Sequence, residues 1–88
     1  MKVRFFKPFD EICGQEEIRL DLNGPVEVKD LLEILEGKFP SLKPYLQKAG
    51  DEVLSFFVIL IRGGEVLKMH DRVNEEDVIQ ILPPISGG

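Results

Sequence analysis

Cysteine and histidine are almost missing from this chain. A single cysteine, Cys13, rules out an internal disulfide and a cysteine-based metal site. A single histidine, His70, cannot by itself build a metal site or a nucleophile and base pair. Basic residues are also short. Eleven Lys and Arg face 16 Asp and Glu, a net charge of −5, which argues against a nucleic-acid backbone as partner because phosphate binding needs clustered cations. Partners with basic surfaces are expected instead. No apolar run is long enough for a bilayer, the longest covering residues 56–61, and the opening MKVRFFKPFDE lacks the apolar core of a signal peptide. The expectation is therefore a soluble protein of a reducing compartment, the cytoplasm, with no membrane partner. Repeats, low-complexity tracts and linkers are absent too. What remains is 88 residues, 43% of them hydrophobic, enough for one domain with a core but with little room for a deep catalytic cleft.

The apolar residues that are present recur with clear periods. Residues 2–6 read as a strand with Val3 and Phe5 inward, and residues 17–22 alternate Ile18, Leu20 and Leu22 against Glu17, Arg19 and Asp21. The two strands form a hairpin across a loop at 7–15 that holds Pro8 and Gly14, with Phe9 as an exposed aromatic candidate. After Asn23-Gly24-Pro25, the residues Val28, Leu31, Leu32, Leu35 and Phe39 mark one stripe of a helix. It ends near 37–39, because Pro40 disfavours helical geometry in the residue before it. Residues 41–47 add a helical turn carrying Leu42, Tyr45 and Leu46. Residues 54–61 are apolar at both parities, which suits a strand covered on both faces. Gly63-Gly64 then reverses the chain into a short strand at 65–68, and 78–82 forms the last strand, with Ile79 and Ile81 inward and Val78, Gln80 and Leu82 outward. The order is ββαβββ, an α+β layer pair in which a mixed sheet covers one main helix. If the first and last strands lie side by side and parallel, as in a β-grasp domain, the last strand occupies the middle of the sheet and anchors whatever follows it. The domain spans residues 1–82, and residues 83–88 form a tail.

That tail is the most informative stretch. Pro83-Pro84 disfavours helix and favours an extended, polyproline-like exit, so residues 83–88 reach about 18 Å at ~3.1 Å per residue. Gly87-Gly88 continues it without side chains, and such backbone lies flat in a tunnel where any Cβ would clash. A carboxylate on this strip can be delivered into another protein's active site. The alternative is a frayed terminus that happens to end in glycine.

The run Glu76-Asp77-Val78-Ile79-Gln80-Ile81-Leu82-Pro83-Pro84-Ile85-Ser86-Gly87-Gly88 resembles the C-terminus of the ubiquitin-like sulfur carriers of the MoaD/ThiS family, above all the small subunit of molybdopterin synthase. Lys2-Val3-Arg4-Phe5-Phe6 and Val28-Lys29-Asp30-Leu31-Leu32 extend the resemblance over nearly the whole chain. Two positions depart from the family pattern: Glu76 stands where a Gly is frequent, and Glu27 where a polar N-cap is. The resemblance implies a β-grasp (ubiquitin-like) fold and a non-catalytic carrier that binds no cofactor. Its C-terminal Gly88 would be activated at the expense of ATP by a ubiquitin-activating-type adenylyltransferase (MoeB-like), then converted to a thiocarboxylate. Sulfur would pass to a molybdopterin precursor in the active site of the molybdopterin synthase large subunit (MoaE-like). Gly88 is the reactive residue and Gly87 the steric one. Two other uses of the same tail stay open: a ubiquitin-like modifier joined through Gly88 to target-protein lysines, and a sulfur carrier for thiamine or tRNA thiolation. Thiamine carriers are usually shorter and lack the diproline. A pure interaction domain with an inert tail is the remaining alternative.

A carrier must also dock, which predicts an exposed apolar patch beside the tail. Phe6, Val66 and Leu82 are the outward candidates on the sheet face away from the helix, with Pro83, Pro84 and Ile85 at the tail base; coverage by a loop is the competing reading. His70 is expected to be a solvated loop residue. Cys13, among Asp10, Glu11, Glu16 and Glu17, is expected to be an unreactive thiol whose pKa is raised by their charge. Glu75-Glu76-Asp77 reads as a solvated acidic turn, with cation binding or recognition by a basic surface on an activating enzyme as its functional alternatives.

Overall fold

The computed structural model describes residues 1–46 and 58–84. Five strands form the main sheet: β1 (Lys2–Phe5), β2 (Glu17–Arg19), β4 (Ile59–Arg62), β5 (Glu65–Val66) and β7 (Val78–Leu82). Their order is β2-β1-β7-β4-β5. β1 and β7 run parallel, pairing Val3 with Ile79 and Phe5 with Ile81, while β2, β4 and β5 each pair antiparallel to their neighbours. This is the β-grasp arrangement, with the last strand at the centre. A ribbon absent from the sequence reading, β3 (Val26–Glu27) paired with β6 (Arg72–Val73), sits beside the sheet. Two-residue strands carry too little periodicity to be read from sequence.

α2 (Val28–Lys38) forms where the apolar stripe predicts it, and Val28, Leu31, Leu32 and Leu35 are all buried against the sheet. From the sheet side, Val3, Phe5, Leu60, Ile79 and Ile81 complete the core. Each such side chain contributes about 1.5–3 kcal/mol by leaving water. The helix stops at Phe39, held extended at φ −131° and ψ 80° ahead of Pro40. Its ring meets Phe5 edge to face at 5.5 Å. Glu27, at the N-cap, makes no capping bond with its side chain. The orphan helix amides are taken instead by backbone carbonyls: Val28 N–H donates to Asp71 and Lys29 N–H to Met69, at 2.9 and 3.1 Å. The missing polar N-cap is thus compensated from the loop before β6.

The hairpin loop departs from expectation. It contains a short helix, α1 (Phe9–Cys13), which Gly14 closes in the left-handed region at φ 74°. Phe9 is not an exposed aromatic but a core residue, 1% accessible, packed edge to face on Tyr45 at 5.7 Å. The helical turn at 41–47 is a 3-10 segment, Pro40–Tyr45, which buries Leu42. Residues 54–57 of the strand expected at 54–61 lie outside the described residues. Gly63 and Gly64, with φ of 58° and 84°, form the two-residue turn joining β4 to β5, a conformation in which both positions favour glycine.

Candidate functional site

The base of the tail is set by β7. Lys2 N–H donates to Asp77 and Phe6 N–H to Ile81 on one side, at 3.0 and 2.9 Å, while β4 pairs Ile59 with Leu82 on the other. Backbone held from both flanks up to Leu82 cannot swing. Pro83 and Pro84 then end the ladder, because neither has an N–H to donate. Pro83 is half-buried and Pro84 exposed. Ile85, Gly87 and Gly88 lie outside the described residues.

Strand register brings the predicted docking residues onto one surface. With Val3, Phe5, Leu60, Ile79 and Ile81 facing α2, the alternate positions Arg4, Gln80 and Leu82 and the β4 residues Ile59 and Ile61 face away. Val66, opposite Ile61, shares that outer face, and the alternation from Arg4 carries Phe6 onto it. Phe6 is 42% accessible and Val66 57%, both exposed; Leu82 is half-buried. The sequence reading missed Ile59 and Ile61, which are half-buried rather than covered on both sides. Their apolarity at both parities fits an outer face left for a partner as well as it fits a fully covered strand, and periodicity alone cannot tell these apart. Val78, 43% accessible, joins the same face further from the tail. The patch therefore lies beside the exit of β7, rimmed by Arg4, whose Nε is 3.3 Å from Glu17 Oε1.

The remaining candidates are structural. Glu75 and Asp77 are not merely solvated. Glu75 Oε2 accepts the Leu22 N–H at 2.6 Å and Oε1 lies 3.4 Å from the Met1 amine, so its carboxyl is held below the ordinary range, chiefly by the Leu22 bond. Asp77 Oδ2 accepts from Asn74 N–H at 2.8 Å and Arg62 Nη1 at 2.9 Å, tying the turn before β7 to the end of β4. No non-glycine residue among those described has positive φ, so Glu76 occupies its turn without the backbone that would demand glycine. His70 is exposed but not free: its Nδ1 lies 2.7 Å from Glu27 Oε1, and since an ionised carboxylate only accepts, Nδ1 donates. That bond lowers the Glu27 carboxyl. Cys13 has its pKa pushed up to about 11 by burial rather than by neighbouring charge. Among the described residues no cluster of His, Cys, Asp or Glu is placed to hold a metal, and no helix is long and apolar enough to cross a membrane.

This geometry offers no nucleophile and base pair of its own among the described residues. It offers a strand end paired on both sides, a diproline directly after it and an apolar face next to it.

Comparison with known proteins agrees with that architecture. A family model described as the ThiS family matches residues 3–88. Small archaeal modifier protein 1 of Haloferax volcanii is 28% identical over the full length of both chains, and small archaeal modifier protein 3 of the same organism is 31% identical over all of this chain and 98% of its own. The molybdopterin synthase sulfur carrier subunit of Phaeosphaeria nodorum is 27% identical over 76% of this chain and 70% of its own. The crystal structure of the Haloferax volcanii small archaeal modifier protein 1 matches with a TM-score of 0.80 at 28% identity, covering 100% of this chain and 98% of that one.

Proposed function

This chain belongs to the ThiS family of ubiquitin-like carriers and modifiers, and on that premise we propose that it carries sulfur on Gly88 as the small subunit of a molybdopterin synthase. A carboxylate is a poor acyl donor, because its leaving group would be oxide. An ATP-dependent adenylyltransferase joins AMP to the Gly88 carboxylate and releases pyrophosphate. A persulfide then attacks the acyl carbon and AMP leaves, and a thiol attacks the donor's sulfur in the resulting acyl disulfide, forming the donor's disulfide and freeing the thiocarboxylate. Its terminal sulfur attacks an activated carbon of the cofactor precursor in the large subunit's active site. Water then cleaves the resulting thioester, leaving the sulfur on the precursor and a carboxylate on the carrier, ready for the next cycle.

The observation that carries this reading is the coupling of β7 to the outer face. The strand that feeds the diproline is central and fixed on both sides, and the exposed residues Phe6 and Val66 lie on the same surface as Leu82. A partner that grips this patch receives the tail at a set place and direction. Gly87 leaves room for the tail in a narrow channel. ATP is consumed by the activating enzyme and not bound here.

A second reading is favoured by one finding: two relatives that match essentially end to end are named as protein modifiers. In that reading the same Gly88 adenylate is passed, through the activating machinery, to a lysine amine and forms an isopeptide. Intact mass of the chain, with and without ATP, a sulfur donor and the cognate activating enzyme, separates the two. An oxygen-to-sulfur increase mapped to Gly88 supports the carrier, covalent attachment to lysines of other proteins supports the modifier, and neither product would sink both.

A further inference from the structure

We propose that the outer face carries a second point of contact, a cationic corner built by Lys2 and Arg19, which takes a pair of carboxylates on the adenylyltransferase that activates Gly88. This contact presupposes the activation of Gly88 proposed above, a step common to the carrier and the modifier. Register builds the corner. Leu20 N–H donates to Met1 O and Phe5 N–H to Glu16 O, both at 2.8 Å, and the Met1 amine donates to Leu20 O at 2.9 Å. Lys2 with Arg19 and Arg4 with Glu17 are therefore non-hydrogen-bonded pairs, the kind whose side chains stand closest together. Val3 and Phe5 are buried toward α2, so Lys2 and Arg4, with their partners on β2, point outward. The outer face thus changes character along its strands. Arg19, Lys2 and Val78 lie side by side where β1 and β7 begin, and Phe6, Leu82 and Ile59 lie where the tail leaves.

The two neighbouring pairs differ in one respect. Arg4 faces a carboxylate, Glu17 Oε1, at 3.3 Å, whereas Lys2 faces a second cation. Like charges directly opposite each other destabilise a sheet. Neither Lys2 nor Arg19 has an ion pair among the described residues. Nearby acids do not relieve them. Glu75 is committed to the Leu22 N–H and the Met1 amine, and Asp77 to the Asn74 N–H and Arg62. Asp21 and Glu76 share a recess of about 280 Å³ with Lys2, Arg19 and Val78, yet form no ion pair there. A chain of net charge −5 thus folds two uncompensated cations against each other. Charge that blocks sheet-to-sheet pairing belongs on the terminal strand β2, but Lys2 is on β1, one strand further in. The remaining acids disfavour a nucleic acid as occupant, because a long polyanion would meet net repulsion. A protein surface with two carboxylates beside an apolar grip meets the corner and the patch together. Val78 to Leu82 covers about 13 Å at ~3.3 Å per residue, which sets the separation between those carboxylates and the site that receives the tail. Contact at both ends of β7 fixes the direction of the strand as well as its position.

The test compares the full chain with Lys2→Gln, Arg19→Gln and the double variant, and uses Lys38→Gln, at the end of α2, as a control for net charge. Calorimetry against the cognate activating enzyme, at low and at high salt, reads the affinity. Each single variant is expected to bind about two- to fivefold more weakly at low salt and the double variant about four- to twentyfold, with most of the difference gone at high salt. Removing a repulsion should leave the melting temperature unchanged or raise it by up to ~6 °C. A fall of more than ~5 °C would make the pair structural and overturn the proposal. Should the double variant fail to fold, the single variants decide. Unchanged affinity and salt dependence in the double variant, or an equal loss in Lys38→Gln, would overturn the cationic corner alone, provided intact mass shows that wild-type Gly88 is adenylated. A wild-type chain that the enzyme neither binds nor adenylates would sink the corner and the activation step together. Binding of transfer RNA by the wild type, lost in the double variant, would make nucleic acid the occupant and overturn the proposal too.

Discussion

Replacing Val66 with Asp separates folding from docking on the outer face. Val66 is 57% accessible, so folding has removed less than half of its surface from water. Full burial of valine is worth roughly 1.5–3 kcal/mol, so about 1 kcal/mol of that remains available to a partner. A carboxylate at the same place must also be desolvated, which adds about 1–3 kcal/mol against the complex. Together these predict partner affinity lower by about 2 kcal/mol or more, at least ~30-fold. The free protein should change by no more than ~0.5 kcal/mol, because the residue sits on a two-residue edge strand with an open outer side. For a domain of this size that is a melting shift of about 2–4 °C. Circular dichroism reads the melting temperature, and calorimetry against the activating enzyme reads the affinity. A melting temperature lower by more than ~10 °C with affinity intact would make Val66 a structural residue. Unchanged values for both would move docking off this face.

Other predictions follow from individual contacts. Ile81→Ala, at a fully buried position where β1, β7 and β4 meet, should cost about 2–5 kcal/mol and lower the melting temperature by roughly 10–30 °C; a loss under ~5 °C would mean that β7 is not the anchor. Gly87→Val should leave melting unchanged and block thiocarboxylate formation or its use, as read by intact mass; normal turnover would show that no narrow channel receives the tail. The lowered Glu75 carboxyl gives a pH dependence whose sign is fixed. Its stabilising effect is present above the ordinary value of 4.5 and is lost as pH falls through the folded value, so Glu75→Gln should flatten denaturant midpoints measured across that acidic window and leave them pH-dependent elsewhere. With its pKa at about 11, the Cys13 thiol should alkylate slowly at neutral pH in the folded chain and rapidly once unfolded; equal rates would contradict its burial.

How far the sequence speaks depends on how local each signal is. Alternation in β1 and β7 and the stripe of α2 each lie within one segment, and these elements fall where the apolar period places them. The parallel pairing of β1 with β7 joins residues far apart in sequence and was expected through the resemblance of the tail and the order of elements. Phe9 was misplaced because a polar-flanked aromatic in a Pro- and Gly-containing loop reads as exposed; only the fold shows that α1 turns it onto Tyr45. The β3 and β6 ribbon, the capping of α2 by carbonyls of Asp71 and Met69, and the bond from Leu22 to Glu75 all join sequence-distant groups. No residue type announces them. For the candidate site, Phe6, Val66 and Leu82 were legible from parity, whereas Ile59 and Ile61 required the register with β7.

Under the proposed function, in which the tail enters other proteins, one strand faces opposing demands. The end has to be slender and extended, yet its root has to be fixed, since a partner holding the sheet must find the reactive group at a constant reach. A terminal strand at a sheet edge, held from one side only, would fray under the pull of a bound tail. Placement of β7 between β1 and β4 meets both demands, and Asp77 adds a further tie by joining Arg62 to the turn where the strand begins. The diproline then ends the sheet: it has no N–H with which to extend the ladder. The apolar face is tolerable in the free protein for a related reason. Arg4 and Glu17 at its rim keep water and charge close to it, and Ile59, Ile61 and Leu82 are each only partly uncovered, so the proposed docking would complete the burial that folding has begun.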